Sequence, residues 1–451
     1  MRSRRNEIDM IHGPLAGKLL LFALPLAASS VLQQLFNAAD LAVVGNFATP
    51  EAMAAVGSNG SVISLLVSLF VGMSVGANVV IANLIGAGRR ESVNDAVHTV
   101  IALALASGVF LTVVGLVLAP RILTLMGAPE EVLSLAVVYL RVYFLGMPGI
   151  MLYNFGSAIL RSRGDSRRPF FSLTLAGVVN VLLNLLFVIV FRLHVVGVAL
   201  ATILSNYLAA GLTVSFLLHE DMEFRLSIRK IRFIKEHVIS VLRIGVPAGL
   251  QGTVFAVSNV VIQSAVNSFG ANAIAGNTSA TNFEFISYCV INAFAQTVVT
   301  FVSQNYGAGD AARCKKVLRE AFMICFAIDA VVLLAIFLSR HTIIKVFTTD
   351  PAIIEFAMVR FQYAVAFHFL CSTYELPAGA LRGLNWSIVP ALISMLGTCA
   401  FRLLYVLTYL PAHRSMETLI KVYPISWVLT GVVMNAAYLV VSRRAFRQLK
   451  K

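Results

Sequence analysis

One carboxylate, Asp40, lies inside an apolar stretch that runs from about Leu15 to Phe47. Gln34 and Asn37 precede it in the same stretch. A charged side chain in the apolar core of a membrane is costly and usually faces a cavity or an ion pathway. A carboxylate in such a place can take up a proton or a metal cation and release it again. The type and surroundings of Asp40 therefore predict a functional role.

The stretch around Asp40 is one of many apolar segments. Of the 451 residues, 59% are hydrophobic and 12% are charged, whereas about 25% charged residues are usual in soluble proteins. A membrane-spanning helix needs roughly 20 mainly apolar residues, and continuous apolarity favours helices over alternating barrel strands. We therefore predict an all-α integral membrane protein with twelve transmembrane helices. They cover about 15–46, 57–84, 96–119, 133–159, 169–191, 196–218, 238–269, 276–304, 318–339, 352–381, 388–410 and 421–442.

The net charge of +14 reflects membrane orientation rather than a nucleic-acid site. Most of the 35 lysines and arginines fall in alternate connections between the predicted spans. Cytoplasmic loops carry such an excess, so both termini are expected in the cytoplasm and the protein in a bacterial inner membrane. The five cysteines have no metal-ligand spacing and are interpreted as small packing residues.

The two halves of the chain repeat one pattern. The GAG sequence at 86–88 recurs at 307–309, and AILR ending at Arg161 recurs as GALR ending at Arg382, at the same offset. An offset of six spans preserves orientation, so two six-helix bundles are expected, related by a parallel pseudo-two-fold repeat. Transporters with internal repeats bind substrate between the halves. The predicted parts are an N-terminal lobe (1–218), a cytoplasmic linker (219–237) and a C-terminal lobe (238–451).

The linker contains the sequence IRKIRFIK. This sequence could form a basic amphipathic helix on the inner membrane surface, and an ordinary charged connector is the alternative.

Comparison of the halves identifies four polar residues that the second half replaces with apolar or aromatic ones. They are Asp40, Asn180, Asn184 and Thr202, opposite Ile262, Phe401, Tyr405 and Tyr423. Asn180 and Asn184 share one helix face because they are four residues apart. A carboxylate, two amide oxygens and a hydroxyl are hard ligands that suit a small cation, or they could form a hydrogen-bonded cage for a proton. Hydrogen bonding between helices is the alternative for the asparagines and Thr202.

Further polar residues inside spans predict a substrate cavity. Tyr153 and Asn154 match Tyr374 and Glu375 in the repeat, so the two pairs are expected to line facing walls. Glu375 could instead pair with Arg382. Glu284, inside the eighth predicted span, belongs to the same predicted cavity set.

The other charged residues in spans favour structural roles. Asp329 is expected to make a structural hydrogen bond, and His368 to be a satisfied buried histidine. Arg141, Arg360 and Arg402 lie toward span ends and are expected to snorkel to the interface. The alternative is that they face the cavity, which would suit an anionic substrate.

The sequence contains no phosphate-binding G-x-x-x-x-G-K-[ST] loop. It also lacks a nucleophile, base and acid constellation and a His/Cys cluster. ATP-driven pumping and enzymatic catalysis are therefore not expected, nor is a cofactor. An ion gradient remains as the source of energy.

These features together resemble the multidrug and toxic compound extrusion (MATE) family. The resemblance rests on two six-span halves, Pro25 followed by Asp40, the GAG sequences and the AILR and GALR motifs. It implies export of cationic, amphipathic compounds in exchange for Na⁺ or H⁺. It also implies a cation site at Asp40, Asn180, Asn184 and Thr202, and a hinge in the first span at Pro25.

Two features refine this resemblance: one concerns the coupling ion and the other the branch of the family. Position 184 is Asn where many members have Asp, which leaves the coupling ion open. No acidic residue occurs between Glu236 and Glu284, and Glu375 is about one turn from the usual acidic position. Gln34, Asn37 and Asn154 match polar cavity positions of the DinF-like branch, so the resemblance implies that Gln34 and Asn37 also line the substrate cavity. The chain therefore resembles that branch more than the NorM-like one.

The main hypothesis is an alternating-access antiporter for cationic drugs, expected to act as a monomer among membrane lipids. No nucleic acid or obligatory protein partner is expected. A flippase for an anionic lipid-linked saccharide is the second hypothesis, and a non-transporting membrane scaffold is the third.

Overall fold

The computed structural model of the protein describes residues 7–47, 50–125, 130–221 and 223–449. Every regular element within these ranges is a helix, which confirms the all-α prediction. Eleven helices are long and apolar enough to cross a membrane, and one bent pair brings the number to twelve. The twelve spans expected from hydropathy are therefore present.

Contacts divide the chain into two compact units. Unit 1 contains the described residues up to Asp9 and Ala28–Gly249, and unit 2 contains Met10–Ala27 and the chain from Leu250 onward. Two long helices, α1 and α8, contribute to both units. The helices with residues in unit 1 are α1 (Ala16–Phe47), α2 (Pro50–Gly86), α3 (Arg90–Leu125), α4 (Glu130–Phe144), α5 (Met147–Ser162), α6 (Arg167–Leu185), α7 (His194–Leu218) and α8 (Lys235–Asn267).

Unit 2 holds the remaining helices. Its span from Pro351 to Gly383 is interrupted by a 3-10 segment, Val365–Cys371, which separates α11 from α12. The helices are α9 (Ala271–Gly307), α10 (Ala311–Ile343), α11 (Pro351–Tyr363), α12 (Ser372–Gly383), α13 (Ile388–Ser394), α14 (Phe401–Leu404) and α15 (Met416–Gln448).

Helices α4 and α5 form the bent pair, with an angle of 46° between them. Pro148 lies in the first turn of α5, where a proline is tolerated because its missing N–H would have no helical partner. Gly108 of α3 packs directly against it, since a Cβ there would lie 2.5 Å from Cα of Pro148. The predicted single span at 133–159 is therefore broken.

Two repeat-related spans contain π-helical turns. Helix α6 continues into the π-helical turn Leu186–Val190, and α14 lies between the π-helical turns Met395–Ala400 and Tyr405–Tyr409. Such turns add a residue to the helical repeat and occur frequently at functional sites. Here they adjoin the buried polar side chains Asn184 and Arg402.

The linker follows the connector alternative. Among its described residues before α8, the regular structure is one 3-10 turn, Ile228–Lys230. Helix α3 holds the linker: His98 Nε2 accepts a hydrogen bond from the Ser227 amide at 2.9 Å, and Asn94 donates to the Glu223 carbonyl at 3.3 Å.

An ion-pair cluster anchors the start of the linker. Arg163 contacts Glu7 and Asp221 at 2.6 Å each and also pairs with Oε2 of Glu220. Arg168 pairs with the other carboxylate oxygen of Glu220, Oε1. Burial raises the pKa of Glu7, while the Arg163 guanidinium acts in the opposite direction. The three carboxylates are close enough to hold a metal ion, but the two arginines already supply their positive charge.

Candidate functional site

Asp40 lies in the unit 1 part of α1, where α6 packs beside it. Asn184 of α6 donates from Nδ2 to Oδ1 of Asp40 at 2.5 Å and to Oδ1 of Asn180 at 3.2 Å. A side-chain amide carries two N–H groups, so it can make both bonds at once. The structure thus brings Asp40, Asn184 and Asn180 together in one hydrogen-bonded row.

A glycine permits the close approach of α1 and α6. Phe36 and Asp40 are four residues apart on α1, and Gly177 and Asn184 lie two turns apart on one side of α6. A Cβ at Gly177 would lie 1.7 Å from a ring carbon of Phe36. The missing side chain therefore allows the ring to reach α6 and seats Asp40 against Asn184.

The row combines a half-buried carboxylate with two buried amides. Within the described residues, no cationic side chain forms an ion pair with Asp40. Oδ1 of Asn184 is buried and accepts no hydrogen bond. A buried acceptor without a donor is unusual, and this one is available to a cation or to a protonated group.

Thr202 stands apart from this row. Its hydroxyl donates to the carbonyl of Val198 at 3.0 Å, one turn earlier on α7. In the part of the chain that the structure describes, it makes no hydrogen bond to Asp40 or to either asparagine. Its proposed ligand role therefore stays a prediction.

Two tyrosines of α4 also belong to the surroundings of Asp40. Tyr139 and Tyr143 lie close enough to interact electrostatically with its carboxylate. Their rings stack with centroids 6.0 Å apart, and Tyr139 packs in an apolar cluster with Val44 and Val188. Sequence reasoning missed both because it compared only polar differences between the halves. Two tyrosines four residues apart in one span were the available signal.

The oxygen ligands in this row of side chains suit a monovalent cation or a proton. One carboxylate and two amide oxygens are hard oxygen ligands, and the free acceptor on Asn184 is the atom that such a ligand set requires. Asp40, Asn180 and Asn184 would hold Na⁺, whereas Asp40 alone would hold a proton.

The predicted cavity residues of unit 1 lie on α1 and α5. Gln34 and Asn37 are exposed on α1. Tyr153 donates to a backbone carbonyl at the start of α6 at 3.2 Å, and Asn154 donates to the preceding turn of its own helix at 2.8 Å.

In unit 2, Tyr374 is buried and the neighbouring Glu375 is half-buried. Glu375 interacts electrostatically with Arg382, which donates to Oε1 of Gln251 at 2.7 Å. Among the described residues no ion pair within 4.0 Å joins Glu375 to Arg382, so the alternative of such a pair stays a prediction. Pro25 lies within the continuous helix α1, two residues before the helix passes from unit 2 to unit 1.

Glu284 is the centre of a second buried cluster. Arg360 contacts Glu284 Oε2 from Nε at 2.9 Å and from Nη2 at 2.7 Å, and donates from Nη1 to Asn277 at 2.8 Å. The prediction that Arg360 and Arg402 snorkel to an interface is wrong, since each is only 3% exposed. Partners inside unit 2 replace the interface for both. Arg141 is exposed and donates to a backbone carbonyl of α3 at 3.1 Å.

His368 and Asp329 adjoin this second cluster. Nδ1 of His368 lies 2.6 Å from the Ser287 hydroxyl, and its Nε2 lies 3.8 Å from Glu284. This is the satisfied buried histidine that the sequence predicted. Asp329 is fully buried and interacts with Ser287, although its carboxylate oxygens make no hydrogen bond of normal geometry.

In its described residues the protein is all-helical, with eleven long apolar helices and a bent pair as a twelfth span, and carries polar side chains inside these spans, which is the architecture of a membrane transporter. The family model described as MatE matches residues 25–186 and again 247–408. The chain belongs to this family. The two matches confirm the internal repeat, and the resemblance read from the sequence is correct at the level of the family.

Curated relatives agree with this assignment. The chain is 30% identical to the probable multidrug resistance protein NorM of Thermotoga maritima, over 86% of this chain and 84% of that protein. It is 29% identical to the probable multidrug resistance protein YoeA of Bacillus subtilis, over 83% and 82%. It is also 25% identical to an FAD transporter of Shewanella oneidensis, over 78% of each chain's length. The protein is accordingly a multi-pass membrane protein related to multidrug transporters.

Solved structures share the fold. A multidrug resistance MATE family transporter in an outward-facing conformation superposes with a TM-score of 0.86 at 24% identity and covers 98% of both chains. A MATE structure in a straight conformation gives the same values. The twelve-helix fold is therefore that of MATE transporters.

Proposed function

We propose that the protein is an antiporter that exports cationic, amphipathic compounds in exchange for H⁺ or Na⁺ by alternating access. The observation that carries the proposal is Asp40, a carboxylate bonded to the buried amide of Asn184 at 2.5 Å and paired with no cation among the described residues. A buried charge without a counterion is costly. An exchangeable ion can supply that counterion.

Coupling requires that the ion bind one conformation of the protein better than the other. When Asp40 is neutralised, the charge that the amide of Asn184 now stabilises disappears, and the packing of α1 against α6 changes. Helix α1 contains Pro25, which removes one backbone hydrogen bond and makes bending easier there. We infer that occupancy of Asp40 biases a bend of α1 near Pro25.

The coupling ion and the branch of the family are finer parts of the proposal. A site with one carboxylate holds Na⁺ less firmly than a site with two, because ligand charge sets cation affinity. Asn184 therefore favours H⁺ as the coupling ion. The missing acid between Glu236 and Glu284 supports a place near the DinF-like branch.

Substrate and surroundings complete the proposal. Two relatives are named probable multidrug resistance proteins, which supports amphipathic compounds as cargo, and Gln34 and Asn37 offer polar contacts on an exposed face of α1. We propose that the protein acts as a monomer with both termini in the cytoplasm, with membrane lipid and its small-molecule substrate as partners.

Transport in proteoliposomes tests the proposal, with pH and Na⁺ gradients imposed separately and ethidium as substrate. Asp40→Asn is expected to lower gradient-driven efflux more than about tenfold, since the substituted amide cannot bind either ion and the drive is lost. Glu91→Gln is the matched control, because it makes the same chemical change at an exposed position. Unchanged efflux by Asp40→Asn at matched protein levels would show that Asp40 is not the coupling site.

A further inference from the structure

Arg402 occupies an irregular stretch of the span that is equivalent to α6 in the repeat. It lies in the short helix α14, with a π-helical turn before it and another after it. In unit 1 the equivalent span carries Asn180 and Asn184 of the proposed coupling site. The equivalent span of unit 2 thus holds a buried guanidinium, one residue after Phe401, the counterpart of Asn180.

Arg402 has no ion-pair partner of its own among the described residues. Arg360 and Glu284 form a close ion pair, with two contacts below 3 Å. Arg402 interacts electrostatically with the same Glu284, and within the described chain no carboxylate comes within ion-pair distance of it. His368 can add only positive charge. Two buried arginines therefore share Glu284, and within the described residues Arg402 has no carboxylate of its own at ion-pair distance.

The hydrogen-bonding capacity of Arg402 is also largely unused. Arg360 donates hydrogen bonds to Glu284 and to Asn277. Arg402 makes one hydrogen bond, from Nε to the hydroxyl of Ser426 at 2.9 Å. Among the residues that the structure describes, its two terminal nitrogens find no acceptor, although the side chain is 3% exposed. Four N–H donors are left for another molecule.

Tyr423 fixes the plane of this guanidinium. The ring centroid lies 4.6 Å from the guanidinium carbon of Arg402 and 4.9 Å from that of Arg360. The Tyr423 ring stacks on one face of the Arg402 guanidinium, and the hydrogen bond to Ser426 holds its Nε. The terminal fork that remains has the geometry that binds carboxylate and phosphate groups through two parallel hydrogen bonds.

We propose that Arg402, oriented by Tyr423 and Ser426, is the anchor of an oxyanion-binding site in unit 2 that accepts a carboxylate or phosphate group of the transported molecule. The proposal rests on the proposed function in assuming that the ligand is a transport substrate. It extends the substrate class from simple cations to compounds that also carry an acidic group. The acid supplies the ion-pair partner and the acceptors that Arg402 lacks among the described residues.

Equilibrium binding of two dyes to the purified full-length protein tests this site. Tetramethylrhodamine carries a carboxylate, and its methyl ester is the same cationic dye without that charge. Fluorescence anisotropy should show tighter binding of the acid than of the ester, by about tenfold for a buried charge-assisted pair. Arg402→Gln should remove this preference by weakening binding of the acid, while binding of the ester is retained.

Three variants make the result specific. Arg402→Lys keeps the charge without the fork and should retain part of the preference. Arg141→Gln, at an exposed arginine of unit 1, should leave it intact. Ser426→Ala removes only the Nε partner and should weaken acid binding about threefold, so it tests the site even when Arg402→Gln fails to fold in a thermal scan.

Competition identifies the preferred oxyanion. Displacement of the acid dye by inorganic phosphate or by acetate supports the site, and the stronger competitor indicates whether a phosphate or a carboxylate fits better. Equal affinities of wild-type protein for acid and ester, or an equal loss of both in Arg402→Gln, would overturn the proposal. Binding requires no ion gradient, so a failure of Asp40 as coupling site leaves this readout unaffected.

Discussion

Asp40 in unit 1 and Glu284 in unit 2 are both carboxylates inside apolar spans, but their surroundings differ. Asp40 contacts the neutral amide of Asn184 at 2.5 Å. Glu284 contacts the guanidinium of Arg360 at 2.7 and 2.9 Å, with His368 nearby. Glu284 therefore has a built-in counterion, whereas the described part of the chain supplies none for Asp40.

This difference assigns different tasks to the two halves of the repeat. A carboxylate that is already neutralised by an arginine gains little from binding H⁺ or Na⁺, because the arginine would then be left uncompensated. An unpaired carboxylate gains from either ion. The comparison thus explains why ion coupling is proposed for unit 1 and recognition of an acidic group for unit 2.

The largest effect is expected when the Glu284–Arg360 ion pair of unit 2 is broken. Arg360→Met should lower the free energy of unfolding by about 3 kcal/mol, because it leaves Glu284 buried without its main partner. A thermal scan in detergent measures the loss as a lower unfolding temperature. The double variant Arg360→Met with Glu284→Gln should recover most of the stability, because it removes both charges. Equal unfolding temperatures for the single variant and the wild type would contradict the assigned pairing.

A second carboxylate in unit 1 sharpens the comparison. Asn184→Asp should tighten Na⁺ binding about tenfold, since ligand charge tunes the affinity of oxygen sites. The measurement is the Na⁺ concentration that gives half of the maximal thermal stabilisation. Asn206→Asp is the matched control, because Asn206 bonds to its own helix at the Thr202 carbonyl. The same Na⁺ requirement in both variants would argue against a cation site at Asp40 and Asn184.

Much of this arrangement follows from sequence. Hydropathy predicted the spans because a membrane helix must be apolar along its whole length. The repeat isolated Asp40, Asn180 and Asn184 because packing alone gives two equivalent helices no reason to differ in polarity. The structure places these three side chains in one hydrogen-bonded row.

Other features depend on contacts that spacing does not encode. Glu284 and Arg360 lie on different spans, and only packing of α9 against α11 brings them together. Snorkelling was the simpler expectation for an arginine near a span end. The break between α4 and α5 was equally hidden, because the apolar run continues through it. Sequence thus located the charges and did not determine which of them pair.

The smallest expected effect is a change in folding stability when each of the two carboxylates, Asp40 and Glu284, is replaced by its amide. Asp40→Asn should leave stability unchanged or raise it by about 1 kcal/mol, because it removes a partly buried charge that has no cationic partner. Glu284→Gln makes the same chemical change and should lower stability, since it leaves Arg360 and Arg402 without their shared carboxylate. Thermal scans of both variants, at one pH and without Na⁺, give the comparison directly. A loss in Asp40→Asn as large as that in Glu284→Gln would mean that Asp40 has a structural counterion after all, and the division of tasks between the units would fail.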